Sequence, residues 1–211
     1  MVKEAVTEAI SSLAARLDEQ ESKILELEMK ANAQAAEIEK LREREEAAQQ
    51  SILALQVKTD DMEQYSRRKN IRIYGIEEKE GESTDEVVGN VAKRMGVEIS
   101  LSDIDRSHRL GPVKAAGAAE RSGSRPIIVK FASQNAKFKF VRGRPSLKGS
   151  SIYLNEDLTQ RRQKLYHAAR HAGKVEKVWA VDGRIYAGLK DSAGGLKKKL
   201  ITDIRDIDNL K

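Results

Sequence analysis

The side chains that could carry metal-dependent or acid–base chemistry are few in this sequence. His167 and His171 lie four residues apart, a spacing that places both imidazoles on one helix face, where they could share a metal ion. Their neighbours are basic and the chain has no cysteine, which favours exposed or phosphate-contacting histidines. Asp103 and Asp105 could hold the metal of a nuclease, but two aspartates beside arginines do not make a site. We expect no metal, no cofactor and no catalysis.

Charge is the more informative feature. The formal net charge of the 211 residues is +6, but residues 1–64 contain 8 Lys/Arg and 15 Asp/Glu, a net charge of −7. The remaining 31 of the 39 Lys/Arg and 18 of the 33 Asp/Glu give residues 65–211 a net charge of +13. The acidic and basic halves are therefore expected to do different work, and a strongly basic half is typical of nucleic-acid binding.

The sequence shows neither the apolar run of a membrane-spanning helix nor the pattern of a signal peptide. No apolar run approaches the roughly 18 residues that would span a bilayer. The first residues, MVKEAVTEAI, lack the basic end and apolar core of a signal peptide. We expect a soluble, intracellular protein that does not interact with membranes.

The acidic half has the pattern of a coiled coil. Residues 1–64 contain no glycine or proline, and apolar residues follow a seven-residue repeat from Val6 to Met62. The repeat predicts a long helix that associates with copies of itself. Its strongest core positions are Ile10, Leu13, Leu17, Ile24, Leu27, Ile38, Leu41, Ile52 and Leu55.

Charges beside the repeat favour a parallel homo-oligomer. In a parallel assembly each g position faces the e position about five residues later on the next chain. All of the resulting pairs have opposite signs: Arg16 with Glu21, Lys23 with Glu28, Glu37 with Arg42, and Lys58 with Glu63. Periodicity alone leaves the choice between dimer and trimer open, because polar residues interrupt the core.

The basic half has a mixed pattern that begins after the cluster QYSRRKN at residues 64–70. Apolar alternation and turn residues predict strands near residues 71–76, 103–110, 125–133 and 151–155, with helices near 84–96 and 135–142 and a loop over 111–124. This order, βαββαβ, is that of ferredoxin-like and RNA-recognition folds. Residues 65–156 are predicted to form this module.

Residues 157–211 are predicted to form a small α-β-β-α domain. A helix over residues 157–173 is followed by a hairpin whose turn is Asp182–Gly183, the strongest hairpin signal in the chain. The segment LKKKL at 196–200 is interpreted as a solvated loop or a nonspecific phosphate contact. The segment ITDIRDIDNL at 201–210 predicts a short helix with Ile201, Ile204, Ile207 and Leu210 facing inward. The predicted fold class is thus a long N-terminal coiled coil followed by an α+β region.

Aromatic residues are scarce where an RNA-recognition sheet would display them. Such sheets place rings on the first and third strands so that unpaired bases can stack. Here Arg72 occupies the expected position on the first strand, and Pro126 and Ile128 occupy the exposed positions of the third. Tyr74 and Tyr153 remain as candidates for stacking, with half-buried edge residues as the alternative.

The order of several motifs resembles one known family. A coiled coil followed by YSRRKNIRIYGIEE, DRSHRLG, RPIIVKFAS, LKGSSIYLNEDLT and VWAVDGRIYAG is similar to the first-open-reading-frame protein of LINE-type retrotransposons across essentially the whole chain. The resemblance implies a coiled coil that is usually trimeric, an RNA-recognition module and a C-terminal domain that bind single-stranded RNA together. It also implies ribonucleoprotein particles in the cytoplasm, with the nucleus as a further location, and nucleic-acid chaperone activity. Family members often carry an additional N-terminal segment.

The same resemblance indicates which residues would contact nucleic acid. It points to an Arg-x-Asn-x-Arg element, represented here by Arg68, Asn70 and Arg72, and to basic positions along the following elements. The full set of candidates, with the two tyrosines, is Arg68, Asn70, Arg72, Tyr74, Arg106, Arg109, Arg125, Lys130, Tyr153 and Arg162. Guanidinium groups suit this role because they bind phosphate through paired hydrogen bonds and also stack on bases.

Two matters stay open at this point. Single-stranded DNA is a possible ligand beside RNA, because phosphate contacts and stacking do not distinguish the two. A structural coiled-coil scaffold whose basic half binds an acidic protein is the alternative function. Retention of an oligonucleotide on a size-exclusion column distinguishes the scaffold from the RNA-binding protein.

Overall fold

A computed structural model describes residues 2–112, 124–190 and 195–210. The chain divides into two compact units, residues 1–58 and 59–211. The predicted N-terminal helix is confirmed: helix α1 runs from Val2 to Ser66, without a glycine or proline to interrupt it. Most of the loop predicted over residues 111–124 lies outside the described residues.

Helix α1 exposes its heptad side chains along the first unit. The nine core positions named above are between 50% exposed, for Ile38, and 64% exposed, for Leu27. A row of exposed Ile and Leu is unfavourable for an isolated helix in water, because each such side chain gains about 1.5–3 kcal/mol on burial. Among the described residues, no helix is both long enough and apolar enough to cross a membrane.

The first sheet and its helices follow the predicted βαββαβ order. The strands lie in the order β2-β3-β1-β4, and all neighbouring strands are antiparallel. Short 3-10 turns lie at Leu101–Asp103 and Arg144–Leu147. The elements are β1 (Asn70–Tyr74), α2 (Thr84–Arg94), β2 (Ile104–Arg109), β3 (Ile127–Phe131), α3 (Gln134–Arg142) and β4 (Tyr153–Glu156).

Alternation and caps explain these elements. Ile71 and Ile73 are buried while their neighbours in β1 are only partly covered, as a strand with one face on a core requires. Ser83 caps α2 by accepting a hydrogen bond from the Glu86 amide, and Ser133 caps α3 in the same way. Helices α2 and α3 contribute to one core with the sheet: Ile71, Ile73, Val88, Val91, Ala92, Met95, Ile127, Val129, Phe131, Ala136, Phe140, Leu147 and Leu154. The helices therefore cover one sheet face and leave the other open.

The C-terminal region contains one strand more than the α-β-β-α prediction. Its elements are α4 (Gln160–His171), β5 (Lys177–Val181), β6 (Arg184–Lys190), β7 (Leu196–Ile201) and α5 (Ile204–Asp208). The strands form a second antiparallel sheet in the order β5-β6-β7.

Two predictions for this region were wrong. LKKKL is not a loop but most of edge strand β7, whose lysines hide the apolar alternation in the sequence. The prediction for 201–210 was wrong in part: the short helix is present, but only over Ile204–Asp208, because Ile201 ends β7, and Ile204 is 54% exposed instead of facing inward. Ile207 and Leu210 are buried as predicted.

The predicted hairpin turn is confirmed at Asp182–Gly183. Both residues have positive φ angles, 54° and 73°, as a tight type I′ turn requires. A Cβ atom on Gly183 would lie 2.4 Å from Cγ of Gln64, near the end of α1. Glycine at this position therefore permits both the turn and its packing.

Candidate nucleic-acid interface

The open face of the first sheet brings together many of the predicted contact residues. Asn70, Arg72 and Tyr74 alternate with the buried isoleucines of β1, so they lie on the face that the helices leave uncovered. Cross-strand register places Tyr74 beside Tyr153, Arg72 between Asn155 and Ile128, and Asn70 beside Lys130. Beyond these, Arg106 pairs with Lys130 and His108 with Ile128. We call this set of nine residues the open face.

The two tyrosines of the open face stack on each other. Their ring centroids are 4.8 Å apart and their planes differ by 2°. Tyr153 is 51% exposed. An exposed ring in a stacked pair can accept one further planar group, such as a nucleobase, because stacking on an aromatic face is favourable for every base.

Buried Asp157 holds Asn70 and Arg72 in place. Its carboxylate is 2% exposed and accepts hydrogen bonds from Asn70 Nδ2 at 2.9 Å and from Arg72 Nε at 2.7 Å. It also accepts a hydrogen bond from Arg67 at 3.2 Å. Burial alone would lower the pKa of Arg72, but the charge and hydrogen bond of Asp157 outweigh burial and raise it. Arg72 therefore stays charged, with its orientation fixed.

Asp157 is itself fixed by the last turns of α1. Gln64, which is 3% exposed, donates a hydrogen bond to the Asp157 carbonyl at 3.0 Å and accepts one from the Thr159 amide at 2.9 Å. The Thr159 hydroxyl donates to Asp60 at 2.5 Å and also caps α4. The end of α1 thus positions the Arg72 side of the open face.

The remaining cations of the open face differ in their partners. Lys130 pairs with Asp105 at 2.8 Å, and its hydrogen bond lowers the pKa of the Asp105 carboxyl. Arg106 is exposed, and its guanidinium makes no hydrogen bond or ion pair with any described residue. Within the described residues, Arg106 therefore has no internal ion pair that a phosphate would first have to break.

Arg68 lies in the turn before β1 and not on the open face. Its guanidinium carbon lies 3.7 Å from the centroid of the Tyr65 ring, and its NH1 group donates to the Tyr65 carbonyl at 2.8 Å. Tyr65 is 66% exposed. Half-buried Arg68 and exposed Tyr65 thus form a second pair of a cation and a ring near β1, apart from the open face.

Arg109 lies on the helix-covered side of the sheet. It follows Arg106 by three residues, so the alternation of β2 points it to the opposite face. Its guanidinium donates to both carboxylate oxygens of Glu82, at 2.6 and 3.0 Å, and to the carbonyls of Ile76, Glu77 and Arg125. The hydrogen bond from Arg109 lowers the pKa of Glu82. With its donors engaged and 5% of its side chain exposed, Arg109 has the geometry of a structural residue.

Arg125 and Arg162 are also engaged within the chain. Arg125 is 12% exposed, pairs with Glu78 and donates to the Gly111 carbonyl at 2.7 Å. Arg162 is 18% exposed and pairs with Asp60 at 2.8 Å and with Asp61 at 2.5 Å. Neither residue lies on the open face, so the structure separates them from the cluster that the sequence grouped them with.

A basic groove beside Tyr153 was missed by sequence reasoning. It has a volume of about 650 Å³, and its lining includes Arg142, Arg144, Lys148 and Tyr153. The segment RGRPSLKGS at 142–150 lies between the helix predicted near 135–142 and the strand predicted near 151–155, and it was given no binding role although its three cations are visible in the sequence. His108 and Asn155 were missed as well, and strand alternation could have assigned both to the open face.

The carboxylates considered for metal binding have structural partners. Asp103 accepts hydrogen bonds from the Ser100 amide and hydroxyl, which lowers the pKa of its carboxyl, and Asp105 pairs with Lys130. Within residues 2–112, 124–190 and 195–210, no group of three or more His, Cys, Asp or Glu side chains is arranged to hold a metal ion.

Comparison with known proteins adds no identification. No protein-family model matches the chain, and no curated protein sequence matches it.

Proposed function

We propose that this chain is an oligomeric single-stranded RNA-binding protein and nucleic-acid chaperone, as the resemblance to the first-open-reading-frame proteins of LINE-type retrotransposons implies. In this proposal the βαββαβ unit with strand order β2-β3-β1-β4 is an RNA-recognition, ferredoxin-like module. The protein would work in ribonucleoprotein particles without acting as an enzyme. Single-stranded DNA is a second ligand of the same chemistry.

The observation that carries the proposal is the combination of stacked rings and cations on one open sheet face. Tyr74 and Tyr153 offer an aromatic surface, while Arg106 and Lys130 supply positive charge on the neighbouring strands. Arg72 is paired with Asp157, but 24% of its side chain remains exposed on the same face. A single strand needs both, because its bases stack and its phosphates seek cations. The basic groove beside Tyr153 would continue the path of the backbone.

An unsatisfied acceptor adds support. The Oδ1 atom of Asn70 is buried and has no hydrogen-bond partner among the described residues, while its Nδ2 donates to Asp157. A buried acceptor without a partner is costly, by about 1–3 kcal/mol. A base amino group or a ribose 2′-hydroxyl would satisfy it. Among the described residues no donor reaches Asn70 Oδ1, and RNA supplies donors of this kind.

Chaperone activity would follow from contacts that exchange readily. A phosphate bound at Lys130 must compete with Asp105, and exposed contacts of this kind are individually worth about 1 kcal/mol or less. Many weak contacts with little dependence on base sequence allow strands to rearrange while they stay coated. Oligomerisation compensates for the weakness, because linked modules bind at a raised effective concentration.

The proposed oligomer is a parallel homotrimer assembled through α1. The exposed heptad side chains need a partner surface of the same kind, and another copy of α1 provides it. The opposite charges at the predicted g and e positions favour parallel alignment. Trimer in place of dimer rests on the family resemblance.

The experiment that tests RNA binding compares Tyr153→Ala with Tyr153→Phe in the full chain. Fluorescence anisotropy of a labelled single-stranded RNA should show about 5- to 150-fold weaker binding for Tyr153→Ala, since stacking on one base is worth about 1–3 kcal/mol. Tyr153→Phe keeps the ring and should bind like the wild type.

A second measurement separates the proposal from the scaffold alternative. Wild-type protein should retain the oligonucleotide on a size-exclusion column. Elution of protein and RNA in separate peaks, with equal anisotropy for all three proteins, would favour a scaffold that binds an acidic protein.

A further inference from the structure

The second sheet has an open face of its own. The family resemblance implies that the C-terminal domain takes part in RNA binding, but Arg162, the candidate it supplies there, lies on α4 and not on this sheet. In its register Trp179 pairs with Tyr186 and Tyr186 with Leu200, so these three side chains form one row across β5, β6 and β7. The neighbouring row consists of Lys177, Gly188 and Lys198. The alternate residues Ile185, Ala187 and Ile201 belong to the core under the other face. Aromatic and basic side chains thus share the uncovered side.

The two rings form a continuous aromatic surface. Trp179 and Tyr186 have centroids 6.0 Å apart and planes that differ by 25°. Gly188 makes room for this arrangement, because a Cβ atom there would lie 2.4 Å from Leu196 Cδ2 and 3.2 Å from Cζ3 of Trp179. Both rings are partly exposed. Leu196 and Leu200, which are 49% and 44% exposed, extend the apolar area.

Cations surround these rings and few of them have acidic partners. The Lys198 ammonium lies 3.7 Å from the Tyr186 centroid, and the Lys177 ammonium lies 5.1 Å from the Trp179 ring centre. Among the described residues, neither lysine nor Arg184 forms an ion pair, whereas Lys190 pairs with Glu176. The face therefore has a positive charge that its own residues do not neutralise.

We propose that this face is a second binding site for single-stranded nucleic acid, in which an unpaired base stacks on Trp179 or Tyr186 and the flanking phosphates bind Lys177, Lys198 and Arg184. The inference rests on the proposed function and adds a site to it. A negatively charged ligand with planar apolar groups matches the charge and the rings together, and single-stranded nucleic acid has both.

The present lysine–ring contacts do not block the site. An exposed cation–π contact is worth about 0.5–1 kcal/mol, whereas stacking of a base on an aromatic side chain is worth about 1–3 kcal/mol. A base can therefore displace a lysine from its ring, and the lysine then lies close to the phosphate that follows. Each lysine exchanges one favourable contact for another.

The test uses the single tryptophan of the chain as its probe. Titration of the full chain with a single-stranded RNA should quench Trp179 fluorescence, in parallel with the anisotropy of a labelled copy of the same RNA. The quenching should persist in Tyr153→Ala, at higher RNA concentration, because that variant removes only the first site. If RNA quenched Trp179 in both the wild type and Tyr153→Ala, and the RNA concentration at the anisotropy midpoint were the same for both proteins, the result would also place RNA at Trp179.

A matched pair of charge reversals controls for nonspecific attraction. Lys198→Glu and Lys197→Glu change net charge equally on strand β7, but only Lys198 lies over the Tyr186 ring. Lys198→Glu should weaken RNA binding at least 5-fold more than Lys197→Glu does. Equal effects of the two reversals would overturn the second site.

The outcomes also separate this inference from the proposed function. RNA binding by anisotropy with unchanged Trp179 fluorescence would overturn the second site and leave the first intact. No binding by either signal would overturn both. A larger loss in Lys198→Glu, together with quenching in the wild type, would establish the second site.

Discussion

Arg106 and Arg109 lie on one strand and were both predicted to bind nucleic acid, yet their surroundings predict opposite effects of substitution. Arg106 is exposed on the open face, whereas Arg109 is buried against Glu82 and donates hydrogen bonds to it and to carbonyl groups of the chain. We expect Arg106→Ala to weaken RNA binding without affecting folding. Arg109→Ala should destabilise the fold.

The size of the Arg109 effect follows from burial. The side chains of Arg109 and Glu82 are 5% and 12% exposed, so Arg109→Ala leaves a nearly buried carboxylate without its partner. Removal of one member of a buried ion pair costs about 3–5 kcal/mol, which is a large share of the 5–15 kcal/mol that stabilises a typical domain. Substitution of exposed Arg106 should change the free energy of unfolding by less than about 0.5 kcal/mol.

Two assays distinguish the variants. Urea unfolding followed by circular dichroism and Trp179 fluorescence measures stability, and RNA anisotropy over a range of salt concentrations measures binding. Arg106→Ala should reduce the slope of log K against log salt by about 0.7, the value for one phosphate contact to a single strand. The reasoning would be refuted if Arg109→Ala folded as stably as the wild type and bound RNA more weakly.

Further predictions concern acid stability, the hairpin turn and assembly. Because Arg109 lowers the pKa of Glu82, their pair stabilises the fold at pH values above about 4.3, which is the pKa of Glu82 in the unfolded chain. This stabilisation is lost as the pH falls through the lower pKa of Glu82 in the folded protein. Glu82→Gln should flatten that acid dependence in urea titrations, and an unchanged dependence would exclude the pair as its source. Gly183→Ala should destabilise the folded protein by about 1–2 kcal/mol or more, because the φ of 73° is left-handed and the added Cβ would displace Gln64. Equal melting temperatures of the variant and the wild type would contradict this. Leu27→Asp should shift sedimentation towards monomer, whereas Glu26→Asp, which is outside the predicted core, should not.

Local patterns predicted the elements because local physics forms them. The heptads of α1, the alternation of Ile71 and Ile73, the caps Ser83 and Ser133 and the turn Asp182–Gly183 all act within a few residues. Strand β7 was missed because lysine has a low β-propensity, so Lys197 to Lys199 do not predict a strand. Their extended conformation is determined by pairing with β6.

The site was harder to predict because its partners come from distant segments. Arg106 and Arg109 are three residues apart, and this spacing indicates that they lie on opposite faces of the strand. The sequence does not indicate that Glu82 lies on the covered face, where it pairs with Arg109. Asp157 could not be linked to Arg72, nor Asp60 to Arg162, since these pairs join segments 85 and 102 residues apart. Charge predicted a binding surface, and only the fold divides its arginines into exposed and paired ones.

Light scattering of the purified full chain, with and without a single-stranded RNA, tests the central claim most directly. We predict the mass of three 23.5-kDa chains without RNA and, with RNA, one larger species that contains both components. A monomer whose mass does not change when RNA is added would contradict both the assembly through α1 and the binding of nucleic acid.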